Sequence, residues 1–264
     1  MKKMLVLILA AIICACGLAS CKGDQSDLEY VKEKGVLTVG ITRFAPMDYE
    51  ESEGSGNWIG FDADMAKAFA ESLGVKVEFV VINWDSKVME LNNKSIDCVW
   101  NGMTLTDGVK EAMETSKPYC TNEQVVVVPA DKKDIYNTRE AVKGLSFAAE
   151  AGSAGEEVLT ALGFKVTPVQ SQADAVMEVA AGTSDAAVID LLMAGAVIGK
   201  GTSYENLVYT VSLSDVKEEY GVGFRKGSEL AEKLNGFFDK ARADGSMEAT
   251  AAKYGVNEAL IKSN

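Results

Sequence analysis

The sequence contains no histidine. That absence excludes Ser-His-Asp and Cys-His catalysis, His-ligated zinc and any His-based general acid or base. Proline is scarce, four residues against 24 glycines in 264, and 47% apolar with 25% charged residues is the composition of a folded globular chain. A disordered or collagen-like chain is thereby excluded. Positive charge is also short: 26 Lys+Arg face 39 Asp+Glu, a net charge of -13. A surface of that sign repels phosphate backbones and argues against nucleic-acid binding. No G-x-x-x-x-G-K-[ST] stretch occurs, so nucleotide hydrolysis must reside elsewhere. The length allows one large domain or two of ordinary size.

The N-terminus sets the compartment. Lys2 and Lys3 precede an apolar run over residues 5–15 that is too short for a comfortable membrane span. A small-residue stretch follows, giving the charged, apolar, cleavable layout of a secretory signal peptide over residues 1–20. Leu18-Ala19-Ser20-Cys21 resembles the bacterial lipobox. The resemblance implies cleavage before Cys21 and lipidation of its thiol, which would anchor the protein to the outer face of a bacterial membrane. Residues 21–34 are polar and read as a lipidated tether. Of the five cysteines, only Cys98 and Cys120 remain in the folded body. An exported pair can form a disulfide, yet Cys98 lies in an apolar stretch where a free Cys acts as a small buried hydrophobe. The pair is expected to be unbridged, and two cysteines without histidine make a poor metal site.

Beyond the tether, strands and helices alternate. Residues 36–41 read as a strand. Asp62 and Asp64 can cap a helix whose Met65, Phe69 and Leu73 share one face, with Gly74 ending it. Val75, Val77, Phe79 and Val81 alternate as a half-buried strand. A short helix from Asp85 and a strand over 96–100 complete the first round. A second round runs through strands at 145–149, 164–169 and 186–189, with helices between them. Two helices, 229–242 and 247–254, close the chain. This order points to α/β architecture with largely parallel sheets in two lobes.

Asn57-Trp58-Ile59-Gly60-Phe61-Asp62-Ala63-Asp64-Met65-Ala66 resembles the G-F-D-x-D-L-A helix start of extracytoplasmic solute-binding proteins, family 3, the polar-amino-acid receptors of ABC importers. Further matches follow in order: Trp84-Asp85, Asn101-Gly102-Met103-Thr104-Leu105-Thr106, Pro118-Tyr119, Ala151-Gly152-Ser153, Asp185-Ala186-Ala187-Val188-Ile189-Asp190, and Gly221-Val222-Gly223-Phe224. No single match is specific, but the ordered set spans the whole mature chain. The resemblance implies a type II, periplasmic-binding-protein-like fold: two lobes, two hinge strands and a ligand in the cleft. By that pattern lobe one covers 35–127 plus 221–264, and lobe two covers 128–220.

The same resemblance implies ligand contacts. Asp190 would accept hydrogen bonds from a ligand ammonium; its plainer reading is an N-cap for the next helix. Phe44 and Trp58 would sandwich the ligand side chain, where core packing is the ordinary role of an aromatic. Asn101, Gly102 and Thr104, expected just past a strand end, would bind α-amino and α-carboxylate groups, or simply form a turn. Ser153 and Ala154 begin a helix whose free N–H groups attract a carboxylate. Ala154 stands where the family usually has Thr, so only its backbone contact carries over.

One departure matters more. The family reads T-x-T-x-x-R through this loop, and its Arg clamps the α-carboxylate; here Thr104-Leu105-Thr106-Asp107-Gly108-Val109 puts valine at that position. Either Arg43 or Lys110 replaces the cation, or helix N–H groups act alone, or the ligand lacks a free α-carboxylate. Arg43 is the one arginine of four in a matching ligand loop, although a solvated loop charge is its plainer reading.

The expected function is a receptor, without cofactor, that captures an amino acid or related amine and delivers it to an ABC permease and its ATPase subunit. A receptor that must present both lobes is expected to be monomeric. Two other classes remain: a ligand-sensing lipoprotein uncoupled from transport, and a dehydratase on the same fold. The dehydratase would need a poised acid such as Glu150, Glu218 or Glu219. A co-purified permease separates transport from sensing.

Overall fold

A computed structural model describes residues 25–262, so the signal peptide and Cys21 lie outside the described residues. The chain enters through α1 (Asp27–Lys34), whose N-cap Ser26 accepts from the Glu29 N–H at 3.3 Å. This helix corrects the tether expectation. Val31 is fully buried, and Arg225 grips Asp27 through Nε at 2.8 and 2.9 Å. Val31, with Leu28 and Tyr30 packed beside it on the core, and one acid facing a buried guanidinium dock a segment that is otherwise polar.

Thirteen strands follow: β1 (Val36–Ile41), β2 (Tyr49–Glu50), β3 (Trp58–Ile59), β4 (Lys76–Val81), β5 (Cys98–Thr104), β6 (Glu114–Thr115), β7 (Cys120–Asn122), β8 (Gln124–Pro129), β9 (Ser146–Glu150), β10 (Lys165–Val169), β11 (Ala186–Asp190), β12 (Leu207–Ser212) and β13 (Glu218–Phe224). The first sheet has the order β4-β1-β5-β13-β6, with β7 pairing β13. The second has the order β10-β9-β11-β8-β12. In each sheet three strands are parallel, β4-β1-β5 and β10-β9-β11, and the strands beyond them antiparallel. The antiparallel members exist because the chain crosses between sheets twice, at residues 122–124 and 212–218. Strand β8 therefore belongs wholly to the second sheet, where the expected boundary had left 124–127 in lobe one. Its run Val125–Val128 is buried on both faces, as a central strand covered by helices requires.

The helices are α2 (Phe61–Leu73), α3 (Lys87–Asn92), α4 (Asp107–Ala112), α5 (Arg139–Val142), α6 (Ala154–Ala161), α7 (Gln172–Ala181), α8 (Leu191–Val197), α9 (Leu230–Ala243) and α10 (Ser246–Tyr254). Phe69, Trp100 and Phe238 form the aromatic centre of the first lobe, and Phe147, Leu159 and Val188 pack the second. Cys98 and Cys120 are both buried and free.

Two local expectations change. Asp62 does not cap α2; it is buried and accepts from the Gly102 N–H and the Tyr119 hydroxyl, each at 2.7 Å. The strand expected over 96–100 runs on to Thr104, so Asn101, Gly102 and Thr104 lie on β5 itself. Asp62 explains this extension: it takes the Gly102 N–H at a φ of +54, where the pairing with β13 is irregular.

Candidate functional site

Open α/β sheets present ligand groups at the carboxyl ends of their strands. Strands β9 and β11 of the second lobe end at Glu150 and Asp190, and β5 of the first lobe ends at Thr104. These ends face one another across a cavity lined from both lobes. Asn101, Gly102, Thr104, Ser153, Ala154 and Asp190 all line it, together with Val109 and, among residues not singled out as contacts from sequence, Trp84, Lys87, Glu150 and Gln172.

Asp190 occupies the N-cap position of α8 yet makes no capping hydrogen bond. Its carboxylate instead accepts from Gln124 Nε2 at 2.8 Å and from the side-chain amides of Asn122 and Gln172. Gln172 also accepts from the Asp190 backbone N–H at 2.8 Å, which fixes both residues. Burial, then repulsion from Glu218, pushes this carboxyl up to about 7. Three amides hold an acid whose charge burial disfavours, so the group is preorganised for an incoming cation. Asn122 and Gln124 sit on the crossing between sheets, and Thr104 Oγ1 and Gln124 Nε2 both donate to Glu218 Oε2 at 3.2 and 2.9 Å. None of the three amides stands out in sequence; the crossing brings Asn122 and Gln124 to Asp190, and the start of α7 brings Gln172.

Ser153 caps α6, its Oγ accepting from the Glu156 N–H at 3.2 Å. Among the described residues the N–H groups of Ala154 and Gly155 have no protein acceptor. They form an anion-attracting helix start beside the cavity. Asn101 lines the cavity, but its side chain holds Thr42 and Asp48: Oδ1 accepts from Thr42 N at 2.9 Å and Nδ2 donates to Asp48 Oδ2 at 2.7 Å. It is a positioning residue.

Three expected contacts lie elsewhere. Phe44 is 2% exposed, edge-on to Tyr220 at 6.3 Å, and fills the space that Gly102 leaves open. Trp58 is buried in the β2–β3 pair, with the Arg43 guanidinium 5.9 Å from its ring centroid. Arg43 pairs with Glu50 at 3.2 Å with its side chain 58% exposed. None of these three lines the cavity, because the loop packs the aromatics inward and turns the guanidinium to solvent. Lys110 is likewise exposed. The lining aromatic is Trp84, and the lining cation is Lys87.

Lys87 bridges the lobes. Its Nζ donates to Trp84 O at 3.2 Å and to Gly152 O at 2.9 Å, and burial lowers its pKa while Glu150 opposes the shift. Gly152, at φ +70, would place a Cβ 2.8 Å from the Asp85 Cα. Glycine thus permits both the turn before α6 and the approach of the two lobes.

The raised acids fix a pH dependence. Asp62 and Asp190 are pushed up to about 7 and Glu150 to about 8, burial being the main cause for each. Between about pH 4 and 8 the folded chain binds more protons than the unfolded one, so stability falls as pH rises through that window. Carboxylates held low by hydrogen bonds, such as Asp185, act below it. Thermal unfolding of ligand-free protein should show a higher midpoint at pH 5 than at pH 8. A flat or rising profile contradicts the burial of these three acids.

Two α/β lobes joined by two crossings, with an acid-lined cleft between facing strand ends, define the class of two-lobe solute-binding proteins. Residues 37–257 match the bacterial extracellular solute-binding proteins, family 3, and the chain belongs to that family. Its place is therefore outside the cytoplasm. It is 30% identical to the arginine-binding extracellular protein ArtP of Bacillus subtilis, over 98% of this chain and 100% of that one. It is 30% identical to a probable histidine-binding protein of Neisseria gonorrhoeae, over 95% and 96% respectively. Among solved structures, a mutant of the arginine-binding protein ArgBP from T. maritima superposes with a TM-score of 0.78 at 31% identity, covering 86% of this chain and 98% of that one. An ancestral amino acid-binding protein, described as a precursor of cyclohexadienyl dehydratase, superposes with a TM-score of 0.77 at 30% identity, covering 87% and 99%.

Proposed function

We propose that this protein captures an amino acid or a closely related amine and presents it, in the closed form, to the permease of an ABC importer. The observation that carries the reading is Asp190, a buried acid oriented by three amides at the cleft. An ammonium ion satisfies such a group with charge-assisted hydrogen bonds. The relatives' names, arginine- and histidine-binding, support the class. With Val109 at the expected arginine position, a ligand carboxylate meets the free N–H groups at the start of α6 and Lys87, which uses two of its three donors on backbone carbonyls. Closure is a population shift: Lys87 and Thr104 come from one lobe, Asp190 and Ala154 from the other.

In this reading the chain acts as a monomer. It is held to the membrane through lipidated Cys21 after removal of residues 1–20, and leaves ATP hydrolysis to a separate subunit. It binds and does not catalyse. Sensing without transport is the second reading, separated by whether a permease co-purifies. The test of binding is a thermal-shift panel on purified protein, refolded to strip carried-over solute. The panel holds the twenty amino acids, their amides and their decarboxylated amines. A ligand at 100 times its Kd adds about 2.7 kcal/mol, a midpoint rise of about 5–10 °C. Silence across the panel would sink the amino-acid reading.

A further inference from the structure

We propose that the cleft selects a solute with two cationic nitrogens, one held by Asp190 and the other by Glu150, so that the bound ligand carries a net positive charge. The inference rests on the reading of this cleft as an amine-binding site and names its ligand class.

Glu150 ends β9 beside the turn to α6 and lines the cavity at 2% exposure. Its Oε1 has no hydrogen-bond partner among the described residues. A buried carboxyl oxygen without a donor is costly, and such atoms need a reason. Asp190, its neighbour across the sheet, is surrounded by amide donors; among the described residues Glu150 has the Thr42 hydroxyl as its one side-chain hydrogen-bond partner, and its Oε1 is left without one. Lys87 attracts it electrostatically, but the Lys87 hydrogen bonds go to Trp84 O and Gly152 O.

Charge points the same way. The ionisable groups both buried and lining the cavity are Lys87, Glu150 and Asp190, one cation against two acids. Once Glu150 is ionised, a neutral zwitterion leaves one negative charge uncompensated in a buried site, whereas a ligand of charge +1 balances it. Glu157 at the rim and half-buried Glu218 beside Asp190 add the same sign. Valine at position 109 removes a cation from the cleft and shifts the balance further. In the empty cleft burial, then Asp190, pushes the Glu150 carboxyl up to about 8, so it holds a proton near neutrality that an arriving cation displaces. Basic amino acids and diamines both have this chemistry.

The experiment is titration calorimetry of the purified protein at pH 7.5 with matched pairs: L-lysine against L-norleucine, and L-arginine against L-citrulline. Cadaverine and agmatine are the carboxylate-free arms. At least one dicationic ligand should bind about ten-fold or more tighter than its neutral counterpart. In Glu150→Gln that ratio should collapse toward one, and the protons released per ligand, read from titrations in two buffers, should fall. Glu150→Asp, which keeps the charge, should retain the preference and controls for folding. If the amino acids outbind their decarboxylated forms, the ligand is a basic amino acid; the reverse makes it a diamine. Binding of norleucine or citrulline as tight as that of the dications overturns the inference alone, as does a ratio unchanged in a folded Glu150→Gln. Failure of every compound to bind overturns the inference, and the parent reading falls with it only where the thermal-shift panel of twenty amino acids and their derivatives is silent as well.

Discussion

Replacing Asp190 by Asn should weaken binding of the ligand with the largest thermal shift by about 100-fold or more. A hydrogen bond to a charged partner contributes about 1.5–3 kcal/mol, and losing the charge also strands the ligand ammonium in a closed cleft. Asparagine keeps the side-chain volume but turns an NH₂ toward the donors of Asn122, Gln124 and Gln172. The empty protein should respond differently. Burial already pushes Asp190 up to about 7, so the carboxylate is a destabilised ion in the unliganded cleft. At pH 8 the thermal midpoint of the ligand-free variant should therefore lie within a few degrees of the parent. Calorimetry and unfolding together separate the two effects. A loss of affinity below about five-fold in a folded variant would mean that Asp190 does not face the ligand ammonium.

Gly102→Ala should destabilise the fold by about 3 kcal/mol, lowering the midpoint by about 6–12 °C. The added Cβ would lie 2.5 Å from Phe44 Cε1 and 3.1 Å from Tyr220 Cε2, at a φ of +54 that disfavours any side chain. Neither ring can retreat. Phe44 and Tyr220 are fully buried and packed edge-on, and the Tyr119 ring lies tilted against Tyr220 at 6.4 Å. The Gly102 N–H also holds Asp62, so displacement of the backbone breaks a buried hydrogen bond as well. A midpoint unchanged within 2 °C would show that β5 has room the structure does not display. Because Gly102 and Thr104 share β5, a stable variant that loses affinity would place the strain at the site.

Some site residues were legible because their signal is local. Asp190 follows an apolar strand and precedes a helix, so both its place at a strand end and its helix-start position can be read from neighbours in sequence. Ser153 reads as a helix start for the same reason, and it caps α6. Phe44, Trp58 and Arg43 were misplaced because aromatic residues and a cation in a loop carry no information about which way the loop turns. Lys87 was passed over, and Glu150 was named only as a possible acid of a dehydratase, for the opposite reason: a lysine and a glutamate among many look solvated until tertiary packing buries them. Residues 27–34 looked like tether because a single buried valine leaves no periodic signal.

The sequence alone determined the alternation of strands and helices, the absence of histidine chemistry, and the family, because each depends on residues close in the chain or on composition. Only the tertiary structure decided the chemistry of the cleft. Two crossings at residues 122–124 and 212–218 carry Asn122, Gln124 and Glu218 to Asp190, and lobe-to-lobe contact brings Lys87 to Gly152. These partners stand tens of residues apart, and their protonation depends on burial that no local window contains.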